Sequence, residues 1–255
     1  MALFIDGPLN TSVELQQYEN GILDVASAER LDITIKAALA QGEIEADLLL
    51  FLDRTSLWYP RPLVRHTVGI NDIVITTPLK RWHAYKTLAM VYQDAYNNQL
   101  NDRYQGKWTQ YSEHASSAEQ TLFGVGVGIV HRPIPRASQP SLSTIPTGVT
   151  GISYYVCVSW LIAPGQEGMA SAPVQATSSD GSAVVVGVSN PPAGAVLWNV
   201  YAGNGPDAVT LQNSSPLPIN ATWMLPTTGL RTGKAPCDGQ APDWWIVDRH
   251  VLPRG

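Results

Sequence analysis

The sequence predicts an α+β multidomain chain, with an N-terminal α-helical bundle followed by a C-terminal all-β sandwich. Two observations carry this. From Thr77 to Leu122 the apolar residues recur at spacings of three and four, the mark of amphipathic helix. From Ile152 onward they alternate at period two, in short runs separated by turn signals about ten residues apart.

Residues 1–22 carry Gly7-Pro8, Asn10 and Asn20-Gly21 and read as a loop-rich lead-in. Asp24 and Ser27 are good N-cap types, with Glu29 in the first turn of the helix they would start. Leu31, Ile35, Ala38 and Leu39 follow at helical spacing, and Gln41-Gly42 reads as a stop. Ile44, Leu48, Phe51 and Leu52 form a second stripe, with Glu43, Glu45 and Asp47 suited to the positive end of the helix dipole. Trp58-Tyr59-Pro60-Arg61-Pro62 is not regular helix, because each proline disfavours helix at the residue before it. Asp72-Ile73-Val74-Ile75-Thr76 reads as a short extended segment.

Thr77-Pro78 opens the clearest helix, with Thr as N-cap and Pro at the first helical position. Leu79, Trp82, Tyr85, Ala89, Tyr92 and Tyr96 lie on one stripe. A second helix is expected from near Asn101-Asp102, with Tyr104, Trp108, Tyr111, Ala115, Ala118 and Leu122 at heptad spacing. The short connection makes the two an antiparallel hairpin, with the aromatics as its core. Gly124-Val125-Gly126-Val127-Gly128 reads as a flexible exit leading into a strand. Pro133, Pro135, Pro140 and Pro146 among serines and threonines mark a linker.

Beyond it, Ile152, Tyr154, Val156, Val158 and Trp160 share a strand face, and Gly165-Gln166-Glu167-Gly168 is a turn. Further strands are expected at 173–177, 183–188, 196–201, 208–211 and 222–225. The domains are thus 1–131 helical, 132–149 linker, 150–235 sandwich and 236–255 a C-terminal arm. An arm that short cannot bury Trp244 and Trp245 in a core of its own. With Ile246, they are therefore expected to pack onto another protein chain.

A length of 255 residues accommodates one large or two ordinary domains. Met1-Ala2-Leu3-Phe4-Ile5-Asp6 has neither the basic start nor the apolar run of a signal peptide. The longest helical apolar run, Leu48 to Leu52, falls far short of a membrane span. Cys157 and Cys237 lack metal-ligand spacing and read as two free thiols. The net charge of −5 is unevenly placed: −8 over residues 1–53, +5 over 54–136 and −2 over 137–255. Such asymmetry marks faces that meet opposite charge, although no stretch is basic enough for tight nucleic-acid binding.

No active site is legible. None of His66, His83, His114, His131 and His250 forms a helix-borne pair with an intervening Glu, and no serine sits in a Gly-x-Ser-x-Gly elbow. The Gly124–Gly128 stretch follows a helix and precedes a strand, the reverse of a phosphate-cradling loop. No enzyme activity, cofactor or metal is expected.

Two blocks resemble known families. The helix pair Pro78–Leu122, with Leu79-Lys80-Arg81-Trp82-His83-Ala84-Tyr85-Lys86 and the exit Gly128-Ile129-Val130-His131-Arg132-Pro133-Ile134-Pro135, resembles the head–tail adaptor proteins beneath the portal of tailed bacteriophages. Tyr154-Tyr155-Val156-Cys157-Val158, Gly165-Gln166-Glu167-Gly168 and Trp198-Asn199-Val200-Tyr201 resemble the immunoglobulin-like or fibronectin-type modules appended to phage virion proteins. The resemblance implies a structural virion protein of the neck, made in the host bacterial cytoplasm. It implies a homo-oligomeric ring, commonly of twelve copies, contacting portal and tail or neck proteins. DNA would pass through its lumen without specific binding, and no membrane is involved. The acidic first block and basic middle block would pair between neighbours, and an acidic lumen would repel phosphate. Lys80, Arg81 and Lys86 join Trp244, Trp245 and Ile246 as expected protein-interface residues. Simple adaptors lack a sandwich, so another neck, tail or fibre-attachment role, or a glycan-binding surface module, stays open.

Overall fold

A computed structural model describes residues 1–56, 68–99, 102–147, 151, 153–179, 181–226 and 229–248. Helices dominate the N-terminal half and strands the C-terminal half, an α+β chain. The chain divides into two compact units whose ends are exchanged. The helical unit is Gly7–His131 together with the described residues from Pro242 onward. The sheet unit is Arg132–Ala241 together with Met1–Asp6. The sequence placed the first six residues with the helices and the arm with neither. The proline-rich Trp58–Pro62, along with Ile152, His66 and His250, lies outside the described residues.

In the helical unit the lead-in is more ordered than expected. Helix α1 (Ser12–Gln16) is closed by a capping box: Glu14 N–H donates to Thr11 Oγ1 (3.2 Å) and Thr11 N–H donates to Glu14 Oε2 (2.8 Å). Helix α2 spans Ile22–Ala28. Helix α3 then runs unbroken from Ile33 to Ser56, started by Asp32, whose Oδ1 accepts from Thr34 N–H at 2.8 Å. Two expectations fail here. Gly42 does not stop the helix, because the roughly 1 kcal/mol cost of an internal glycine is outweighed by burial on both sides of it. Nor do Ile35 and Leu39 face the core. The inward face is Ile33, Ala37, Ala40, Ile44, Leu48, Phe51 and Leu52, all buried, while Ile35 and Leu39 are 57% and 53% exposed.

The helix pair forms as expected, as α4 (Thr77–Gln99) and α5 (Gln105–Val125). Tyr92 stacks on Tyr111 (centroids 5.6 Å apart) and Tyr96 on Trp108 (5.8 Å) along the seam. Glu19, just beyond α1, ties the lead-in to α5 by accepting from Tyr111 OH (2.6 Å) and Lys107 Nζ (2.5 Å). After a 3₁₀ turn at Ile70–Asp72, Ile73 bridges Ile129 of strand β1 (Val127–Ile129).

In the sheet unit, β3 (Ser153–Ala163) lies antiparallel to β7 (Leu197–Gly203) at the centre of a six-stranded sheet. Strands β4 (Gln166–Glu167) and β5 (Val174–Thr177) pair with β3, while β8 (Thr210–Leu211) and β9 (Leu217–Pro218) pair with β7. A second sheet has the order β10 (Trp223–Met224), β6 (Ser182–Gly187), β2 (Ser141–Pro146). Both contribute to one core: Val156, Val158, Trp160, Trp198, Val200 and Ala202 from the first, Val184 and Val186 from the second. Strand β2 corrects the linker expected at 132–149. Its register from Ser141↔Gly187 to Pro146↔Ser182 makes it an edge strand. Edge strands tolerate proline and polar residues, which is why it read as linker. Asp6 anchors the N-terminus, accepting from Arg136 N–H at 2.7 Å and Leu3 N–H at 2.8 Å.

His83 locks α4 to its surroundings. It is fully buried, its Nδ1 is 2.9 Å from Asn10 Nδ2 and its Nε2 is 2.9 Å from the Ala37 carbonyl. An amide nitrogen can only donate, so Nδ1 accepts and Nε2–H donates, which fixes a neutral ring. Burial lowers its pKa, against the raising effect of the Ala37 bond. Unfolded histidine protonates near pH 6.5, roughly. Below that pH the unfolded chain binds the extra proton and the native state does not, so stability falls as pH falls. The melting temperature should therefore drop between about pH 6.5 and about pH 5. His83→Gln, which keeps a donor and an acceptor but cannot titrate, should flatten that slope. An unchanged slope in the variant would assign it to other groups.

Candidate assembly surfaces

The first surface is the arm. Strand β11 (Trp244–Ile246) lies antiparallel to β1 of its own chain, with Val127↔Ile246, Gly128↔Trp245 and Ile129↔Trp244 in register. Asp243 fastens its start: its N–H donates to the Ile129 carbonyl (2.9 Å), and its Oδ2 accepts from His131 N–H (2.9 Å). Further along, Asp248 N–H donates to the Phe123 carbonyl at 3.0 Å. The glycine-rich exit is shaped for this strand. A Cβ on Gly128 would lie 2.8 Å from Pro242 Cγ, and Gly126 has φ +118° with Val247 Cγ1 3.0 Å from where its Cβ would be. The stretch that read as flexible is thus packed closely against the arm. Trp244 and Trp245 both remain 46% exposed in this pairing.

The expected cations find partners close by. Lys80 Nζ bonds Glu14 Oε1 at 2.7 Å. Lys86 Nζ lies 3.0 Å from Glu43 Oε2 and 3.3 Å from Asp47 Oδ2, and 5.5 Å from the Trp82 ring centroid. Arg81 is exposed, its guanidinium 5.5 Å from the Tyr85 ring centroid. The acidic and basic blocks therefore meet within one chain at Glu14, Glu19, Glu43 and Asp47, where pairing between neighbours had been expected. Sequence distance hides this, because the paired residues stand 39 to 88 positions apart.

The outward face of α3 is the surface that sequence reasoning missed. Besides Ile35 and Leu39, it carries Leu49 at 45% and Leu50 at 64% exposure, with Ala38, Gly42 and Ala46 exposed between them. An apolar face on one helix normally meets its own core. This helix has two.

A polar cluster in the sheet unit was also not legible. Glu167 Oε1 accepts from Ser159 Oγ, from Tyr201 OH (2.5 Å) and from Asn199 Nδ2 (3.1 Å). Asn199 Oδ1 in turn accepts from Asn213 Nδ2 at 2.9 Å. Burial and the Glu167 bond push the Tyr201 pKa up. Ser159 is fully buried and its hydroxyl donates to the carboxylate, so the cluster ties β3, β4 and β7 together. Cys157 is buried and Cys237 half-buried, neither in a disulfide, and burial pushes both thiols up. His83 and His114 are turned to different neighbours, His83 to Ala37 and His114 to the Tyr85 ring at 5.1 Å. Among the described residues no group of three or more His, Cys, Asp or Glu is placed to hold a metal ion. Among them, too, no helix is long and apolar enough to cross a membrane.

No known family model matches the chain, and no curated protein matches its sequence.

Adding a side chain at Gly128 tests how closely the arm packs there. Gly128→Val should displace β11 at a cost of about 1–3 kcal/mol, the usual penalty for overpacking. Amide exchange at residues 243–247 should accelerate while α4 and α5 keep their protection. Unaltered exchange along the arm would show that the glycine is not needed for its passage.

Proposed function

We propose that this chain is a structural virion protein, a ring-forming head-to-tail adaptor beneath the portal of a tailed phage, whose sheet unit is an immunoglobulin-like module. The observation that carries the proposal is helix α3. It buries one apolar face in its own chain and leaves a second, with Ile35, Leu39, Leu49 and Leu50, open to solvent. An exposed apolar strip along a 24-residue helix is an association surface or a liability. In a protein whose place is inside an assembly it is the former. Trp244 and Trp245, half exposed on β11, supply a second anchor of the residue type that dominates interface energetics.

The two-sheet core with central β3 and β7 supports the module reading. Its paired tryptophans Trp160 and Trp198, in register across the two strands, supply the bulk that such a core needs. Repeated copies around the DNA path would expose the surplus acidic charge of residues 1–53 to a phosphate backbone that it repels.

Negative-stain images and native mass measurements of the purified full chain test the reading. Closed rings of a single copy number are expected. A protein that stays monomeric at every accessible concentration, alone and with portal protein added, would contradict it.

A further inference from the structure

The outward strip on α3 has the same order of side-chain sizes in both directions from its centre. Counting from Gly42, alanines stand four residues to either side (Ala38, Ala46) and large aliphatic residues seven to either side (Ile35, Leu49). At about 100° per residue these five lie within about 40° of one line along the helix. All five are exposed, and a Cβ added to Gly42 would meet nothing within 4 Å. The middle of the strip is therefore shallow and both ends are raised. Leu39 and Leu50 continue it on one flank, and Glu45 borders the other.

An order that is symmetric about its centre fits a second copy of itself. Turned end for end, that copy sets its Leu49 on Ile35, its Ala46 on Ala38 and its Gly42 on Gly42. Small residues at the crossing let the helix axes come within the usual packing distance of about 8–10 Å. Fully covered, the strips of two copies together lose about 1,000 Å² of exposed surface, the lower bound for a specific interface.

Charge decides the direction of pairing. In a parallel pair each charge would stand level with its own counterpart, Lys36 with Lys36, Glu45 with Glu45 and Asp47 with Asp47, and like charges facing each other oppose association. End for end, Lys36 comes level with the other copy's Asp47 to within about 1.5 Å along the helix. The two Glu45 carboxylates are then set about 9 Å apart along the helices, near the screening length of about 8 Å in physiological salt. Glu43, which comes nearest its counterpart, is held by Lys86 of its own chain at 3.0 Å.

We propose that two free copies pair end for end through α3, about a two-fold axis beside Gly42. Such a contact is isologous and does not repeat around a ring whose subunits all point one way. It therefore goes beyond the adaptor reading: the pair covers the strip in the free protein and competes with the ring for the same face.

The test uses the full chain. Gly42→Leu fills the shallow centre of the strip. Its Cβ meets nothing in its own chain and it replaces a glycine inside a helix, so the melting temperature of the dilute protein should hold or rise. The concentration at which pairs form should rise by about tenfold or more, the equivalent of about 1.4 kcal/mol. Unchanged pairing in the variant would overturn the proposal. An unaltered chain that passes from monomer to ring with no pair between would also overturn it, while leaving the adaptor reading intact. Pairs that never yield rings, even with portal protein added, would uphold the pair and count against the adaptor. Direction is read with Ile35→Cys and Leu49→Cys. In the end-for-end pair each introduced thiol lies about 20 Å from its own counterpart, beyond the reach of a disulfide, but faces the other variant's thiol. Mild oxidation of the two variants mixed should therefore yield crosslinked dimer. Either variant alone should yield no more than the unaltered chain with its Cys157 and Cys237. Crosslinking of each variant with itself, or none in the mixture, would contradict the pair.

Discussion

Helix α4 is the element on which the helical unit is built, because α2, α3 and α5 all pack against it. Its side chains show what that requires. Leu79, Trp82, His83, Ala84, Thr87, Leu88, Val91 and Ala95 are buried, more of the helix's circumference than one amphipathic stripe covers. The polar members are satisfied in place, with His83 bonded to Asn10 and Ala37, and Thr87 Oγ1 donating to the His83 carbonyl at 2.8 Å. A surrounded α4 leaves each neighbour only one face to turn inward. For α5 that suffices, since its outer face is polar: Gln110, Glu113, Ser116, Ser117 and Gln120 are exposed. For α3 it does not, and the second apolar face is left over.

The charges follow the same geometry. Lys80 and Lys86 project from α4 to meet Glu14, Glu43 and Asp47, Lys107 on α5 meets Glu19, and Lys36 on α3 pairs with Asp94 on α4. Partly exposed pairs of this kind contribute little stability each, about 0–1 kcal/mol. Their consequence is for the outer surface. With these pairs formed inside the chain, Glu43 beside the open α3 face is already matched by Lys86, and what that face offers is apolar area.

What the sequence disclosed depended on how local the signal was. The α4–α5 hairpin was legible because Tyr85, Tyr92, Tyr96, Trp108 and Tyr111 mark a single stripe on each helix. On α3 the periodicity was legible but the choice of face was not. Ile35 and Leu39 are more hydrophobic than Ala37 and Ala40, yet the small residues go inward, where the helices approach closely. Period alone cannot say which of two apolar faces the chain's own core will use. Strand β2 was hidden by its composition, with only Leu142 of its six residues turned toward the core. The arm's position was hidden by distance, since β11 pairs with residues more than 110 positions earlier. The Glu167 cluster draws Ser159, Asn199 and Tyr201 from two strands onto a two-residue strand that read as a turn. No spacing in the sequence announces it.

In the proposed assembly the outer face of α3 is covered, and in a lone copy it is open. Hydroxyl-radical footprinting read residue by residue measures that directly, comparing dilute monomer with the assembled form. Leu39, Leu49 and Leu50 should label readily in the monomer and become protected on assembly, while exposed positions on the outer face of α5 keep their labelling. Equal labelling of the three leucines in both forms would contradict the account.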